Sequence, residues 1–361
     1  MKIAFLGPAP PYRGGISLFA SHLANEMTRE GHEVCFFNFR KQYPQILFPA
    51  GKQEDDIDTA LPNQRILIPY LPHTWDKCAR AINIYKPDIT IVSWWLPFFA
   101  PAYGSILRKL NHGRKVILAH NITPHEDWIA SRSLLRYVFS KADEIVVLSK
   151  SCLLELKRNL PSRIVRKAKL GFHPIYDSYS GHTSKTNALP RILFFGMIKG
   201  YKGLDVLLEA MPIIRVAIPD IRLVIAGTVY KDKAAYEEKI KLLDLSASVE
   251  TNFRYISDEE VADYFRQSDL CILPYKSATQ SGVIATSYSY DTPVVASDIG
   301  GLSEYVEQGQ TGLLVPPDNP PALAAAIISY YSKDMSKGMQ EGIRNFKKKN
   351  TWFELVKLIL A

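Results

Sequence analysis

A glycine-rich loop with two lysines follows the apolar run RILFFG at residues 191–196. The loop reads MIKGYKG, carries Lys199 and Lys202 close to Gly196, and precedes a segment of helical periodicity, GLDVLLEAMPIIRVAI. The N–H groups at a helix N-terminus attract anions, and a lysine adds a full positive charge. The spacing indicates a diphosphate site, although two lysines exposed in an ordinary turn would give the same sequence pattern.

A second candidate anion site lies at residues 279–282. Thr279, Gln280, Ser281 and Gly282 precede a segment that can be helical. Their hydroxyl and N–H groups would converge at the positive end of that helix, where phosphate binds readily. A plain turn in which a serine caps the helix is the alternative.

A histidine ends the predicted strand KVILAHN, at residues 115–121. Ligands of open α/β sheets bind beyond the carboxyl ends of the strands, so we expect His120 at that edge. Its imidazole would exchange a proton near neutral pH. His125 and Glu126 follow closely, which favours a functional role over that of a lone structural histidine.

Two series of alternating strands and helices must position these residues. The first begins with KIAFLG, a loop with Gly14 and Gly15, and a helix; the second begins with RILFFG. This alternation predicts an α/β protein with two doubly wound parallel sheets. Because Gly14 and Gly15 are adjacent, the first loop lacks the GxGxxG spacing of dinucleotide-binding dehydrogenases.

The length of 361 residues predicts two domains. The stretch from 173 to 188 is rich in Gly, Ser, Thr and Asn, which is typical of a linker. We therefore predict an N-terminal domain over 1–172 and a C-terminal domain over 189–349. A final helix near 350–361 is expected to pack back on the first domain.

The positive charge is concentrated in the first half of the chain. Residues 1–188 hold 25 Lys and Arg against 15 Asp and Glu, whereas residues 189–361 hold 19 against 21. A basic half suggests a polyanionic partner, and an ordinary solvated surface is the alternative. Nucleic acid is disfavoured because no recognition motif accompanies the charge, which leaves an anionic membrane surface.

No metal site or cofactor is expected. The four cysteines are scattered without CxxC spacing, as in a protein of a reducing compartment. The Asp56-Ile57-Asp58 triplet lies in a polar stretch and reads more simply as a solvated acidic turn than as a metal ligand. The start MKIAFLGPAP does not read as a signal peptide, and no run of 18 apolar residues occurs. We expect a cytoplasmic protein, peripheral on the inner face of the cell membrane.

Across nearly its full length the chain resembles the retaining glycosyltransferases of family 4. The resemblance rests on PAPPYRGGIS, LAHN, FFGMIKGYKGLDVLLEA, SDEEVADYFRQSDLCILPY, TPVVASDIGGLSEYVEQGQTGLLVPP and TWFELV. It implies the GT-B fold, in which two Rossmann-like domains face a cleft. It also implies sugar transfer from a nucleoside diphosphate, UDP or GDP, held mainly by the C-terminal domain, with no obligatory metal.

The resemblance assigns roles residue by residue. His120 would lie beside the donor sugar, and Lys199 and Lys202 would stabilise the leaving diphosphate. The donor site would comprise Gly14, Gly15, Gly196, the main chain of Tyr255 and Ile256, and Thr279, Gln280, Ser281, Gly282, Val283 and Thr286. The acceptor side would comprise Trp94, Trp95, His125 and Glu126.

Two departures from the family pattern change the expected chemistry. Met197 stands where a basic residue usually follows the glycine of FFG, so Lys199 would substitute. The family's paired glutamates would fall on Ala278 and Thr286, neither of which is a carboxylate. Main-chain and hydroxyl groups would then hold the donor, as in a subgroup that reads ATQSGV.

The sequence predicts a glycosyltransferase that acts on a glycan or lipid-linked acceptor in cell-surface polysaccharide synthesis. Two alternatives stay open. The missing glutamates are compatible with a non-catalytic nucleotide-sugar-binding paralogue, and the two-domain architecture is compatible with a nucleotide-sugar epimerase.

Overall fold

The computed structural model describes residues 1–12, 14–44, 54, 59–122, 131–176, 189–278 and 281–361. Contacts divide the chain into two compact units. The first unit comprises Met1–His173 together with Trp352–Ala361, and the second comprises Pro174–Thr351. The chain therefore passes from one unit to the other twice.

The first unit is built on a parallel sheet. Within the described residues its strands are β1 (Lys2–Leu6), β2 (Glu33–Phe39), β3 (Asn63–Leu67), β4 (Ile89–Trp94), β5 (Arg114–Ala119), β6 (Glu144–Val147) and β7 (Ala168–Leu170). They are ordered β3-β2-β1-β4-β5-β6-β7, and each neighbouring pair is parallel. Apart from residues at the strand starts, β1, β2, β4 and β5 are fully buried, as expected when helices cover both faces.

The helices of the first unit follow the strands along the chain. They are α1 (Gly15–Arg29), α2 (Pro72–Tyr85), α3 (Ala100–Lys109), α4 (Ser131–Phe139), α5 (Lys150–Asn159), α6 (Ser162–Val165) and, far along the chain, α13 (Trp352–Leu360). The α13 helix packs on α1 through a buried face that includes Trp352, Leu355 and Ile359. The Arg114 guanidinium also donates to the Ile359 carbonyl at 2.7 Å, so α13 is tied to the sheet as well.

The second unit repeats the plan with a smaller sheet. In the described part of the chain its strands are β8 (Arg191–Phe195), β9 (Arg222–Ala226), β10 (Val249–Asn252), β11 (Leu270–Leu273), β12 (Val294–Ser297) and β13 (Gly312–Val315). Their order is β10-β9-β8-β11-β12-β13, again parallel throughout. The helices are α7 (Leu204–Ala217), α8 (Lys233–Leu242), α9 (Asp258–Arg266), α10 (Gly282–Ser289), α11 (Pro320–Ser332) and α12 (Ser336–Lys349).

Glycines permit close backbone contacts at the carboxyl edge of this second sheet. Gly203 has φ +68, and a methyl group built on it would lie 1.9 Å from the Pro274 carbonyl oxygen. Gly227 has φ +147, and its methyl group would lie 2.1 Å from the Gly196 carbonyl oxygen. Only glycine fits both the space and the backbone angle at these positions.

The predicted α/β class with two parallel sheets is confirmed. The polar stretch over residues 41–65 carries no strand pattern in the sequence, but β3 begins at Asn63 and pairs with β2 at the edge of the first sheet. Its first residues are polar and exposed, so the strand carries little apolar signal. All four cysteines are buried, and none of them forms a disulfide. None of the described helices is both long and apolar enough to span a membrane.

Candidate active site

The loop after β8 carries a buried ammonium group. Lys202 is 9% exposed, and its Nζ would lie 3.3 Å from a methyl group built on Gly196, whose φ is +95. Burial, with a smaller contribution from the charge of Lys199, lowers the pKa of Lys202 to about 8. No carboxylate pairs with this ammonium among the residues that the structure describes. A buried and unpaired cation is costly, so an anionic ligand would stabilise it.

The start of α10 lies beside the same point. Ser281 precedes the helix with φ −144 and makes no capping hydrogen bond with its side chain. Val283 Cγ2 would lie 3.6 Å from the methyl group built on Gly196, so this helix start and the β8 loop are adjacent. The Thr286 hydroxyl donates to the Gly282 carbonyl at 3.0 Å, within the helix. The structure thus brings together Gly196, Lys202 and the first turn of α10. N–H groups at the start of a helix can receive an anion.

The two lysines of the loop face different tyrosines. Lys202 Nζ lies 5.4 Å from the centre of the Tyr275 ring, just beyond β11. Lys199 is half-buried, and its Nζ lies 4.7 Å from the centre of the Tyr230 ring, beyond β9. The two positive charges are therefore spread on either side of β8, and Lys202 is the one next to α10.

The predicted base-binding segment follows the edge strand β10. Tyr255 is 44% exposed and Ile256 is 6% exposed. The Ser257 and Glu260 side chains form a capping box that starts α9 directly after them. Since β10 is two strands from β8, this segment lies about 10 Å from Gly196 along the sheet edge. Its role in binding a base stays a prediction.

In the first unit, His120 follows β5 directly and is 2% exposed. Its main-chain N–H donates a hydrogen bond to the Trp94 carbonyl at 2.9 Å, and its main-chain carbonyl accepts one from the Cys152 thiol at 3.6 Å. Its ring meets Phe19 edge-on, with centres 4.9 Å apart. The Nε2 atom is buried without a hydrogen-bond partner among the described residues. A buried polar atom without a hydrogen-bond partner is a candidate for binding a ligand or a water molecule.

The expected ionisation of His120 near neutral pH is wrong. Burial lowers the pKa of His120 to about 3, with a further contribution from His173. At neutral pH the imidazole is therefore uncharged. A neutral ring can accept or donate a hydrogen bond to a sugar, but it does not supply a positive charge.

We expect the pH dependence of the chain's transfer activity to lack a step from His120 between about pH 5 and pH 8. The charged form is disfavoured, so protonation begins only as the pH falls toward about 3. Initial rates of wild type and His120→Asn would be measured across this range. An acidic limb near pH 6.5 that is present in wild type and absent in the variant would contradict the assignment.

The glycine pair Gly14 and Gly15 is exposed at the start of α1. Gly14 has φ +113 and precedes the helix, and a methyl group on either residue would meet no atom of the described residues within 4 Å. The described part of the chain thus leaves room for a ligand to approach the backbone of both glycines. One turn further, Phe19 connects α1 to His120, so the glycine loop and the histidine are held by one helix.

The structure buries Trp94 and Trp95, which the resemblance assigns to the acceptor side. Trp94 ends β4, is 0% exposed and packs edge-on against Phe139. Trp95 is 7% exposed and donates from Nε1 to the Tyr43 hydroxyl at 3.1 Å. Both indoles contribute to the core of the first unit, which leaves little ring surface for an acceptor.

Four predicted site residues lie outside the described residues, as does the Asp56-Ile57-Asp58 triplet. The four residues are His125, Glu126, Thr279 and Gln280. Their roles stay predictions.

An aromatic cluster around His120 was not predicted. Phe19 is 1% exposed, and its ring centre lies 4.9 Å from each of the rings of His120, His173 and Trp352. The apolar face of α1 indicates that Phe19 is buried, but nothing in the sequence relates residue 19 to residues 120, 173 and 352. Their meeting depends on the return of α13 to the first unit.

Comparisons with known protein families and relatives cover both units. The family described as "Glycosyltransferase Family 4" matches residues 13–166, and "Glycosyl transferases group 1" matches residues 189–333. An uncharacterized glycosyltransferase from Methanocaldococcus jannaschii is 23% identical over 99% of this chain and 96% of its own length. A D-inositol 3-phosphate glycosyltransferase from Pseudarthrobacter chlorophenolicus is 35% identical, but the match covers only 34% of this chain and 30% of that protein.

Solved structures share the architecture at low sequence identity. HepE from Anabaena, in complex with UDP-glucose, has a TM-score of 0.78 and 14% identity, with 100% of this chain and 99% of that chain covered. Sucrose-phosphate synthase from Thermosynechococcus elongatus has a TM-score of 0.75 and 18% identity, with 99% and 97% covered. At these identities the likeness establishes the fold alone.

Proposed function

This chain belongs to glycosyltransferase family 4, and we propose that it moves a sugar from a nucleoside diphosphate to a glycan or lipid-linked acceptor. The family and the GT-B fold are shown by the two family matches and by the solved structures. The chain is therefore a glycosyltransferase. The donor, the stereochemistry and the acceptor are the proposed parts.

The donor is proposed to be a UDP- or GDP-sugar bound by the second unit. The observation that carries this proposal is the buried ammonium of Lys202, unpaired with any described carboxylate, beside Gly196 and the start of α10. A diphosphate supplies the negative charge that this ammonium lacks, and the α10 N–H groups supply hydrogen bonds. The HepE structure was solved with UDP-glucose, which supports the same class of donor here.

Transfer is proposed to proceed with retention and without a metal ion. The barrier includes negative charge that develops on the departing diphosphate, and fixed cations and dipoles lower it. Lys202 and the α10 N-terminus would serve that purpose. The resemblance assigns His120 to the donor sugar, to which its neutral imidazole would hydrogen-bond through Nε2, an atom with no partner among the described residues. Retention is inferred from the family resemblance.

The acceptor is proposed to belong to cell-surface polysaccharide synthesis, and the basic first half of the chain is proposed to rest on an anionic membrane surface. The charge excess of residues 1–188 supports this placement. A non-catalytic paralogue and an epimerase are not favoured, because the relatives and solved structures described above that carry a functional name are named as transferases or synthases.

A nucleotide screen by thermal shift tests the donor proposal. A ligand that binds only the folded chain raises its apparent stability, by about 2.7 kcal/mol at a hundredfold excess over Kd. We expect UDP or GDP, and a nucleotide sugar of the same base, to raise Tm by several degrees, roughly 2–4 °C per kcal/mol for a domain of this size. The corresponding nucleoside without phosphates serves as the control and should have little effect.

A chain that gains no stability from any nucleoside diphosphate or nucleotide sugar would contradict the proposal. Where a nucleotide sugar binds, product analysis separates the reaction classes. Transfer requires an added acceptor, whereas conversion of the donor sugar without acceptor would indicate an epimerase, and binding without turnover would indicate a non-catalytic protein.

A further inference from the structure

The first unit carries a basic concavity outside the site described above. It has a volume of about 310 Å³ and is lined by residues of α4, by the end of α5 and by the turn that follows. Three arginines contribute to it, Arg132 and Arg136 from α4 and Arg158 from α5. Arg132 and Arg136 are four residues apart, so they project from the same face of α4. Among the residues that the structure describes, no acidic side chain is part of the lining.

Some other basic residues of the first unit form ion pairs within the fold. Lys109 pairs with Asp76, and Arg114 and Lys169 both pair with Glu144. Each of these carboxylates offsets part of the positive charge beside it.

None of the three guanidinium groups of the concavity pairs with a carboxylate within the part of the chain that the structure describes. Arg132 donates from Nε to the Asn159 amide oxygen at 3.3 Å, which holds α4 against the end of α5 and leaves its two terminal nitrogens for other acceptors. Guanidinium groups stay charged at any physiological pH, so these three side chains keep their positive charge.

A serine of α4 adds another possible donor. Ser133 also lines the concavity, and its hydroxyl can donate a hydrogen bond. Arginine forks and a hydroxyl are donors suited to phosphate oxygens, and arginine binds phosphate through paired hydrogen bonds.

We propose that Arg132, Arg136 and Arg158 form a binding site for a phosphate-bearing anion, separate from the donor site of the second unit. Three positive charges match a phosphomonoester or a diphosphate better than a single carboxylate. The volume is about ten times the roughly 30 Å³ that one water occupies in the liquid, so the site has room for a phosphate and part of the group that it esterifies. The anion is either a free phosphate compound or the headgroup of an anionic lipid. This site does not depend on sugar transfer.

A pair of double variants of the full chain tests the proposal. Arg136→Gln with Arg158→Gln removes two charges from the concavity, whereas Arg163→Gln with Arg166→Gln removes two exposed charges at the neighbouring α6 that do not line it. All four side chains are exposed, so both variants should fold, which thermal melting would verify. Binding of inorganic pyrophosphate is measured by calorimetry, and binding to phosphatidylcholine vesicles with and without phosphatidylglycerol is measured by sedimentation.

We expect the concavity pair to weaken binding about tenfold or more, since a hydrogen bond to a charged group contributes roughly 1.5–3 kcal/mol. The control pair should bind nearly as wild type does. If the concavity pair loses a pyrophosphate site, the ligand is a free phosphate compound. If it loses only its binding to vesicles with phosphatidylglycerol, the ligand is a lipid headgroup. Pyrophosphate bound in the second unit would respond to neither pair.

Two results would overturn the proposal. One is that wild type binds neither pyrophosphate nor the anionic vesicles. The other is that both pairs weaken binding equally, which would assign the effect to diffuse surface charge.

Discussion

Replacement of Lys202 by methionine is expected to lower the rate of sugar transfer about 100- to 1,000-fold, the loss typical when one group that stabilises a developing negative charge is removed. Methionine keeps most of the length and apolar volume of the lysine stem, so the contact with the Tyr275 ring is largely preserved. What is removed is the buried ammonium beside Gly196 and the start of α10. Initial rates with a nucleotide sugar and an acceptor would measure the effect.

Lys231→Met is the matched control. Its Nζ lies 5.6 Å from the centre of the Tyr230 ring, but the side chain is exposed, so its charge is screened by solvent. We expect it to keep most of the activity. Equal losses in the two variants would contradict a specific role for Lys202.

The pH dependence of nucleotide affinity is an independent test of whether the charge of Lys202 contributes to binding. The pKa of Lys202 is lowered to about 8 by burial, so the amine is charged below that pH and loses its proton above it. Affinity for UDP or GDP should therefore fall as the pH rises, about tenfold between pH 7 and pH 9. Lys202→Met, which has no proton to lose, should show a much flatter profile, and a parallel decline in both proteins would contradict the assignment.

Gly203→Ala is expected to destabilise the second unit by roughly 2–5 kcal/mol. Its φ of +68 is strained for alanine, and the new methyl group would lie 1.9 Å from the Pro274 carbonyl oxygen. The main chain on both sides of this contact is held in place, since Gly203 is next to α7 and Pro274 follows β11. At about 2–4 °C per kcal/mol for a unit of this size, Tm should fall by roughly 4–20 °C.

Gly200→Ala is the control for this effect. A methyl group on Gly200 meets no atom within 4 Å, and the residue lies in the same loop. Its Tm should stay within a few degrees of wild type. A Gly203→Ala protein as stable as Gly200→Ala would show that the backbone contact with Pro274 does not constrain the loop.

Much of the fold could be predicted because parallel strands buried on both faces read as apolar runs. This is why the β1, β4, β5 and β8 segments are visible in the sequence, along with the position of His120 at a strand end. An edge strand such as β3, with polar residues exposed at its start, gives no such signal. The lysine loop could likewise be placed at a helix start from its glycines.

The ionisation and burial of the site residues could not be predicted from the sequence in the same way. The ionisation of His120 depends on burial and on His173, which is brought near it by tertiary packing. Trp94 and Trp95 follow an apolar strand in the sequence, but only the packing of Phe139 and Tyr43 against them shows that they belong to the core. Which of the two loop lysines is buried depends on Gly203, whose approach to Pro274 brings Lys202 next to Tyr275.

The return of α13 to the first unit affects the order in which the protein can fold during synthesis. Residues 174–351 leave the ribosome before Trp352–Ala361, so the nascent first unit lacks α13 while the second unit is made. Until then the α1 surface that contacts Trp352, including Phe19, is uncovered. The unit that is translated first is thus completed after the unit that follows it, and its exposed apolar face must be kept from aggregation in the interval.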